Sequence, residues 1–340
     1  MLRHRIASRP LSSVLALGFC MLGFSSTTAF AGAADGSDTS KVIMPVRHDI
    51  PADGRSGGVI QDGPADPRAY DDAAAFSLPG QSENLAPAVN QYGIQYHNGP
   101  VMTAPIKIYY IWYGNWSGNT ATTILTDLAN SIGGSSHWAI NSTYTNGSNT
   151  PVSTNITYGG SYQYTGTSGY TTSLSDSAIK SIVSNTITGG KLPKDANALY
   201  FVLTSQDVTA SSGFCTKYCG WHNHATISGS DIKYSFVGNA ARCISSCAAQ
   251  STSPNGNAGA DAMASILIHE AEEAATDPDL NAWYDSSGYE NADKCAWTFG
   301  TTSTASNGSK YNITLGARKY LIQQNWKNVA PSGACGMTYP

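Results

Sequence analysis

The sequence predicts an α/β (α+β) fold in which helices pack on a mixed β-sheet stabilised by disulfide bonds. Two runs of β-branched and aromatic residues, at 106–116 and 198–204, are typical of buried strands. Segments with helical spacing of apolar residues fall between and after them. This alternation favours layers of helix on sheet over a β-sandwich.

Local signals predict the other elements in chain order. A helix over residues 121–132 ends at Gly133-Gly134, and a second opens at 174–176 and runs to Ile187. Residues 140–170 are rich in Ser, Thr, Asn, Gly and Tyr, which predicts short strands and turns. We further expect strands near 224–227, 233–237 and 319–324, and a long helix from Gly259 that Pro278 ends.

The first 31 residues have the three parts of a secretory signal peptide. Arg3, Arg5 and Arg9 form a basic leader, residues 11–24 form an apolar core, and Ala-Phe-Ala at 29–31 is a cleavage site. The apolar core is too short for a bilayer span, and no later segment is long enough. The sequence therefore predicts a secreted, extracellular protein without a membrane span.

Charge and composition predict the domain organisation and exclude one class of partner. Without the leader, 16 Lys and Arg face 23 Asp and Glu, a net charge near −7, whereas nucleic-acid binding requires a basic face. Residues 32–100 are rich in Asp, Gly, Pro and Ala, which predicts a flexible linker or a removable pro-segment. Residues 101–340 are predicted to be a single domain whose folded part opens at Pro105.

Six cysteines remain after the leader, and an even number in an oxidising compartment favours disulfides. Proximity in sequence predicts the pairs Cys215–Cys219, Cys243–Cys247 and Cys295–Cys335. Zinc binding by the two C-x3-C pairs is the less favoured alternative.

An acidic stretch at the end of the long helix indicates a functional site. Eight of the 23 acidic residues lie between Glu270 and Asp293, where the chain has no Lys or Arg. Repulsion among carboxylates is costly unless water screens it or a cation binds. The stretch therefore indicates a bound metal ion, with a solvated acidic face as the alternative.

Helical geometry places His269 and Glu273 one turn apart on one face, with Glu270 beside them. The segment follows the zincin helix H-E-x-x-H, except that the second ligand is a carboxylate. We therefore predict zinc bound by His269 and Glu273, Glu270 as the general base, and zincin-like layering of the fold. A plain amphipathic helix is the alternative.

Later carboxylates supply candidates for the third zinc ligand. Glu290 is favoured because a ligand from a later element resembles the gluzincin arrangement. Asp277, which continues the helix face, is the second choice, and Asp279 and Asp293 remain candidates.

Calcium is the competing metal hypothesis. Positions one, three, five and nine of an oxygen-ligand loop are occupied by Asp277, Asp279, Asn281 and Asp285. Ala282 and Gly288 stand where an EF-hand has glycine and glutamate, so a true EF-hand is not predicted. An all-oxygen site would leave His269 without a role, which favours a transition metal.

Two histidines, His222 and His224, lie next to Cys219 and its predicted disulfide. In zincins the strand before the active helix binds substrate, so we predict that His222 contacts substrate or polarises its carbonyl group. A hydrogen-bonded turn histidine is the alternative.

Four blocks of sequence resemble the EXORDIUM, or phosphate-induced protein 1, family. They are IYYIWYGNW at 108–116, ALYFVLTSQDVTASSGFCTKYCGWH at 198–222, YSFVGNAARCISSC at 234–247 and PNGNAGADAM at 254–263. The resemblance implies an extracellular or cell-wall-associated protein linked to growth, in a family without an established enzymatic activity. Plant members match Cys215, Cys219 and His222, but not His269 or Glu273. HEAEEAATDP with ENADKC instead resembles a zincin-like pattern of secreted microbial proteins.

Two functions from different classes fit these observations. The first is a secreted zinc-dependent hydrolase, in particular a metallopeptidase that acts on an extracellular protein or peptide. The second is a non-catalytic extracellular protein with a structural cation site. That protein would bind cell-wall polysaccharide or a partner through an aromatic surface, since the chain has 19 Tyr and 7 Trp.

Overall fold

The computed structural model describes residues 42–45, 91–164 and 169–340. The predicted signal peptide lies outside these residues, as does most of the predicted linker. Among the described residues, no helix is both long and apolar enough to cross a membrane.

The described strands and helices follow in chain order. The strands are β1 Val42–Pro45, β2 Gln95–Tyr96, β3 Ile106–Tyr113, β4 Ile156–Tyr164, β5 Ser173–Leu174, β6 Ala198–Thr204, β7 Thr209–Ala210, β8 Tyr218–Ile227, β9 Ser230–Val237, β10 Trp283–Tyr284, β11 Ser303–Thr304, β12 Lys310–Tyr311, β13 Ile313–Leu315, β14 Arg318–Tyr320, β15 Asn325–Lys327 and β16 Ala334–Gly336. The α-helices are α1 Ala121–Ser131, α2 Asp176–Thr188, α3 Ile244–Cys247 and α4 Ala258–Thr276, and 3-10 helices span Trp138–Thr143, Ala240–Arg242 and Asp293–Cys295.

Six strands form one mixed sheet in the order β1-β8-β9-β6-β3-β4. Strands β9, β6, β3 and β4 are parallel, whereas β8 runs antiparallel to both β9 and β1. The connections β3–α1–β4 and β4–α2–β6 cross the sheet in opposite directions, so right-handed crossovers place α1 and α2 on opposite faces. The predicted α+β fold with a mixed sheet is confirmed, whereas the zincin-like layering stays a prediction.

The central strands are apolar on both sides because helices cover both faces of the sheet. Every residue of β6 is buried, and β3 exposes only Lys107. Strand β8 alternates: the Trp221 ring stacks on Phe236 at 5.9 Å, whereas His222 and His224 belong to the other face of the sheet. The face that bears the two histidines is the one against which α4 packs.

Helix α4 is buried on nearly all sides. The Asn257 side chain caps it by accepting the Ala260 N–H at 3.0 Å, and Pro278 follows its last turn. From Gly259 to Thr276 only Ala262 is not fully buried. The solvated acidic face is therefore wrong for this helix, because its carboxylates lie inside the protein, whereas the plain amphipathic helix without metal stays an alternative.

The disulfide pairing differs from the prediction at two of the three bonds. The bonds are Cys215–Cys243, Cys219–Cys247 and Cys295–Cys335, so only the last predicted pair is confirmed. Cys243 precedes the single helical turn that Cys247 ends, and the Cys247 N–H donates to the Cys243 carbonyl at 2.9 Å. Such a turn keeps the Cβ atoms at its two ends about 5–6 Å apart, whereas a disulfide requires about 3.8 Å. Cys243 instead binds Cys215 in the turn before β8, and Cys247 binds Cys219 at the start of β8. The two bonds therefore connect this part of β8 to α3.

Part of the predicted linker belongs to the folded unit. Strand β1 pairs with β8, where Val42 lies opposite His222, and β2 pairs with β10. Ile94 is fully buried. The folded region therefore includes residues before Pro105, and the remaining residues of the predicted linker lie outside the described ones.

The two bonds at the start of β8 lead to a prediction for stability. Replacing Cys219 and Cys247 together by Ala should lower the free energy of unfolding by about 3–4 kcal/mol, because the bond closes a long loop. Urea unfolding followed by tryptophan fluorescence measures this difference. Peptide mapping of unreduced protein should recover a Cys219–Cys247 peptide, and a Cys215–Cys219 peptide would contradict the assignment.

Candidate functional site

Three parts of the chain bring titratable side chains into one buried cluster between the main sheet and α4. The cluster consists of His222 from β8, His269, Glu270 and Glu273 from α4, and Glu290 and Asp293 from the segment that follows β10. Asp293 is 6% exposed through its side chain, and the other five residues are at most 1% exposed.

A glycine lets α4 approach β8 closely enough to form this cluster. A Cβ atom at Gly220 would lie 2.7 Å from Glu270 Oε1 and 2.7 Å from Ile266 Cγ2. Any other residue there would displace the side chains of Glu270 and Ile266 from their present positions against β8. The Cys295–Cys335 bond fixes the far side of the cluster, because Cys295 lies two residues after Asp293.

The first half of the cluster surrounds His222. Its Nδ1 atom lies 3.5 Å from Glu270 Oε2 and 3.5 Å from Glu273 Oε2. Its Nε2 atom lies 3.6 Å from Glu290 Oε2. Both ring nitrogens of His222 therefore face carboxylates. Nδ1 faces Glu270 and Glu273 on α4, and Nε2 faces Glu290.

The second half surrounds His269. Its Nε2 atom lies 2.9 Å from Glu273 Oε1 and 3.4 Å from Asp293 Oδ1. The Asp293 N–H also donates to Glu273 Oε1 at 3.1 Å, which joins the segment to the helix. Glu273 thus links the halves, with one carboxylate oxygen directed to each histidine.

Burial makes the charge states of these groups interdependent. Burial raises the pKa of Glu270 to about 7, with repulsion from Glu273 adding to the effect. Burial and repulsion by the neighbouring carboxylates also hold the pKa of Glu290 well above its usual range. Burial opposes a charge on His222, but Glu270 and Glu273 outweigh it and raise the pKa of His222 to about 10.

Glu273 differs from its neighbours because it lies between both imidazoles. Burial works against its charge, but His269 and His222 lower the pKa of Glu273 to about 2. Glu273 is therefore the carboxylate that stays ionised most readily, which suits it to bind cations.

Many polar atoms of the cluster lack a hydrogen-bond partner. Among the described residues these include both ring nitrogens of His222 and His269 and both carboxylate oxygens of Glu270 and Glu290. Ligands that share a tetrahedral zinc ion lie about 3.3 Å apart, given zinc–ligand distances of about 2.0–2.1 Å. The nitrogen–oxygen separations of 2.9–3.6 Å around the two histidines suit shared cations.

The predicted second-choice ligand, Asp277, has a different role. Its Oδ1 atom accepts the backbone N–H groups of Asn281 and Ala282, each at 2.6 Å. Burial raises the pKa of Asp277 to about 6. The carboxylate therefore anchors the turn that follows α4, and it does not belong to the sets of ligand atoms within 4.8 Å of one another.

The predicted calcium loop does not gather its carboxylates around one point. Asp279 pairs with Lys233 at 3.1 Å, and Asp285 pairs with Lys294 at 2.9 Å. Asp277 is engaged by backbone N–H groups. These three side chains therefore have separate partners.

Two further groups of charged side chains lie next to the cluster and have their own explanations. His224 lies 2.9 Å from Asp231 on a partly exposed surface, where Lys233 forms ion pairs with both Asp231 and Asp279. Glu272 points away from the cluster to His137, at 3.2 Å from its Nε2 atom.

The structure brings together most, but not all, of the residues singled out from the sequence. His269, Glu270, Glu273 and Glu290 lie in the cluster. His222, predicted to contact substrate, lies there too, and it is fully buried. Asp293 takes the place beside His269 that the sequence analysis preferred for Glu290. The partnership of Glu272 with His137 had no sequence signal, because 135 residues separate the two.

Comparisons with known proteins give one family. A family model described as "Phosphate-induced protein 1 conserved region" matches residues 94–335. "Protein EXORDIUM-like 3" of Arabidopsis thaliana is 31% identical over 287 residues, which cover 73% of this chain and 84% of that protein. "Protein EXORDIUM-like 5" and "Protein EXORDIUM" of the same plant are 29% and 27% identical, over 72% and 68% of this chain and 78% and 86% of their own lengths. No solved structure matches.

The role of Asp277 leads to a prediction that separates an anchor from a ligand. Asp277→Ala should lower the free energy of unfolding by about 1–3 kcal/mol, because the buried N–H of Ala282 and the part-buried N–H of Asn281 lose their acceptor. Asp277→Asn, which keeps an acceptor oxygen, should cost less. Metal content, measured by inductively coupled plasma mass spectrometry, should not change in either variant. Loss of metal from Asp277→Asn would make this carboxylate a ligand.

Proposed function

The chain belongs to the phosphate-induced protein 1 family, and from this premise we propose that it is a non-catalytic extracellular protein stabilised by buried divalent metal. The basic and apolar leader supports export. The metal would hold β8, α4 and the segment 290–293 together. Because these parts are distant in sequence, binding there stabilises the folded state alone.

The observation that carries this proposal is the closure of the cluster. A catalytic zinc site leaves a coordination position that substrate can reach, whereas a structural site is closed to substrate. His222, Glu270 and Glu273 are at most 1% exposed, so substrate cannot reach them in this conformation. This burial supports a structural site over a hydrolytic one.

The donor set favours zinc over calcium. Calcium takes six to eight oxygen ligands, whereas two imidazoles of the cluster face the same carboxylate, that of Glu273. Imidazole nitrogen combined with carboxylate oxygen suits zinc and similar transition metals.

The second candidate function is the zinc-dependent hydrolase, in particular a metallopeptidase. The pattern His269-Glu270-x-x-Glu273 favours it, since Glu270 would act as general base on metal-bound water. In the structural proposal the same carboxylate is a ligand, because its Oε2 atom lies beside His222 Nδ1. The two functions therefore assign different roles to one side chain.

An aromatic row at the edge of the sheet, formed by Tyr162, Tyr164 and Tyr170, would suit a polysaccharide partner. In the edge strand β4 half-buried Tyr162 and Tyr164 alternate with exposed residues and lie on the same face of the sheet as Tyr113. Tyr113 stacks on Tyr164 at 5.8 Å, and the exposed ring of Tyr170 lies 5.8 Å from Tyr113. Flat aromatic faces that expose apolar surface can pack against sugar rings.

Metal content and Glu270→Gln together test the proposed function. We expect bound zinc in the purified protein and a lower melting temperature after chelation, because a ligand that binds only the native state stabilises it. Glu270→Gln should weaken zinc binding, since an amide is a poorer ligand than a carboxylate. Glu272→Gln, the same change on the same helix but directed at His137, is the control and should keep the metal.

The hydrolase hypothesis predicts the opposite pattern for the same variant. Glu270→Gln would retain zinc and lose hydrolysis in a broad peptidase screen, because the base is removed and the ligands are intact. That result would overturn the non-catalytic proposal. Protein without bound metal that is insensitive to chelation would overturn the metal site itself.

The aromatic row has its own test. Tyr164→Ala and Tyr170→Ala should each reduce co-sedimentation of the protein with insoluble cell-wall polysaccharide severalfold. Tyr339→Ala, outside the row, is the matched control and should bind like the parent. Equal binding by all three variants would remove this surface from the proposal.

A further inference from the structure

We infer that the buried cluster binds two divalent cations bridged by the carboxylate of Glu273. This inference rests on the proposed metal site and specifies its nuclearity. The first cation would be bound by His222 Nδ1, Glu270 and Glu273, and the second by His269 Nε2, Glu273 and Asp293.

The donor atoms fall into two sets that share only Glu273. One set is His222, Glu270 and Glu273, the other is His269, Glu273 and Asp293, and within each set the ligand atoms lie within 4.8 Å of one another. The two oxygens of Glu273 are divided between them, because Oε2 faces His222 and Oε1 faces His269. A single ion bound at one histidine would leave the donors around the other without a cation.

A carboxylate that binds through both oxygens is the usual link between paired metal ions. In two-metal sites the ions lie about 3.5–4 Å apart, a spacing that one carboxylate spans. Glu273 is positioned to bridge two ions, because the Asp293 N–H donates to its Oε1 atom and α4 fixes its backbone.

The charge of the cluster also favours two cations. Four carboxylates, those of Glu270, Glu273, Glu290 and Asp293, carry four negative charges when ionised. Histidine binds metal in its neutral form, so two divalent ions would balance all four carboxylates in their ionised form, whereas with one ion two of the carboxyl groups would have to keep protons. The nearby Lys294 does not supply the difference, since its Nζ atom pairs with Asp285 at 2.9 Å.

Glu290 completes the arrangement as a positioning residue. Its Oε2 atom lies 3.6 Å from His222 Nε2, the nitrogen left over when Nδ1 binds the first cation, so a small shift on metal binding would bring the two atoms into hydrogen-bond distance. A carboxylate that accepts the remaining N–H of a ligating histidine fixes the orientation of the ring and makes it a better ligand. Glu290→Gln should therefore weaken zinc binding by about 10–100-fold and leave two zinc ions at saturation.

The test is the number of zinc ions bound by the purified full-length chain. After dialysis against buffer with excess Zn²⁺ and then against metal-free buffer, plasma mass spectrometry should give two zinc ions per chain. His222→Ala and His269→Ala should each retain one, because each removes one set of donors. Glu272→Gln is the matched control and should retain two.

Each stoichiometry has a separate meaning. One zinc ion in the parent protein would overturn the bridged pair and leave the structural metal site of the proposed function standing. No zinc would overturn both, and would indicate a cluster balanced by protons on its histidines and carboxylates. Two zinc ions in the parent and in both histidine variants would place the metal elsewhere and overturn the inference.

A second measurement avoids the variants, which can fail to fold. Titration of the chelator-treated parent with Co²⁺, followed by visible absorption, should saturate at two equivalents. Magnetic coupling between the two ions should appear in the magnetic susceptibility. Saturation at one equivalent would overturn the pair, and two uncoupled ions would overturn the bridge.

Discussion

Burial of charge beneath the sheet is the constraint on which the arrangement of this fold depends. Moving an ionised carboxylate out of water costs several kcal/mol even after the protein relaxes, and the cluster buries four carboxyl groups. Such groups persist only when cations or hydrogen bonds compensate them. Around the cluster the compensating charges within the chain are the imidazoles of His222 and His269, which do not match four carboxylates in number. The divalent metal ions that we propose would resolve this imbalance, and they would also account for the polar atoms that lack partners.

Several features of the fold serve to bring this cluster together. Gly220 allows α4 to lie against β8, so that Glu270 reaches the strand. Two disulfides join the start of β8 to α3, and a third fixes the 3-10 helix that carries Asp293. Burial of α4 on nearly all sides gives its carboxylates no route to solvent. The same features that assemble the site also close it, which is why the geometry favours a structural role.

Sequence patterns predicted the secondary structure well because it follows from local periodicity and end signals. The strand at 198–204 coincides with β6, and the helix from Gly259 to Pro278 corresponds to α4. The one-face arrangement of His269 and Glu273 followed from helical geometry alone. The place of His222 did not, because the pairing and packing of β8 against α4 depend on contacts between distant residues. Disulfide pairing failed for a related reason: proximity in sequence ignores the helix geometry that separates Cys243 from Cys247.

Anomalous diffraction from crystals of the full-length protein tests the central claim most directly. Data collected on both sides of the zinc absorption edge locate any bound zinc independently of activity. We expect two peaks about 3.5–4 Å apart, one on each side of the Glu273 carboxylate. One peak should lie next to His222 Nδ1 and the other next to His269 Nε2. An anomalous map without peaks there, with the imidazoles and carboxylates joined by direct hydrogen bonds, would contradict it.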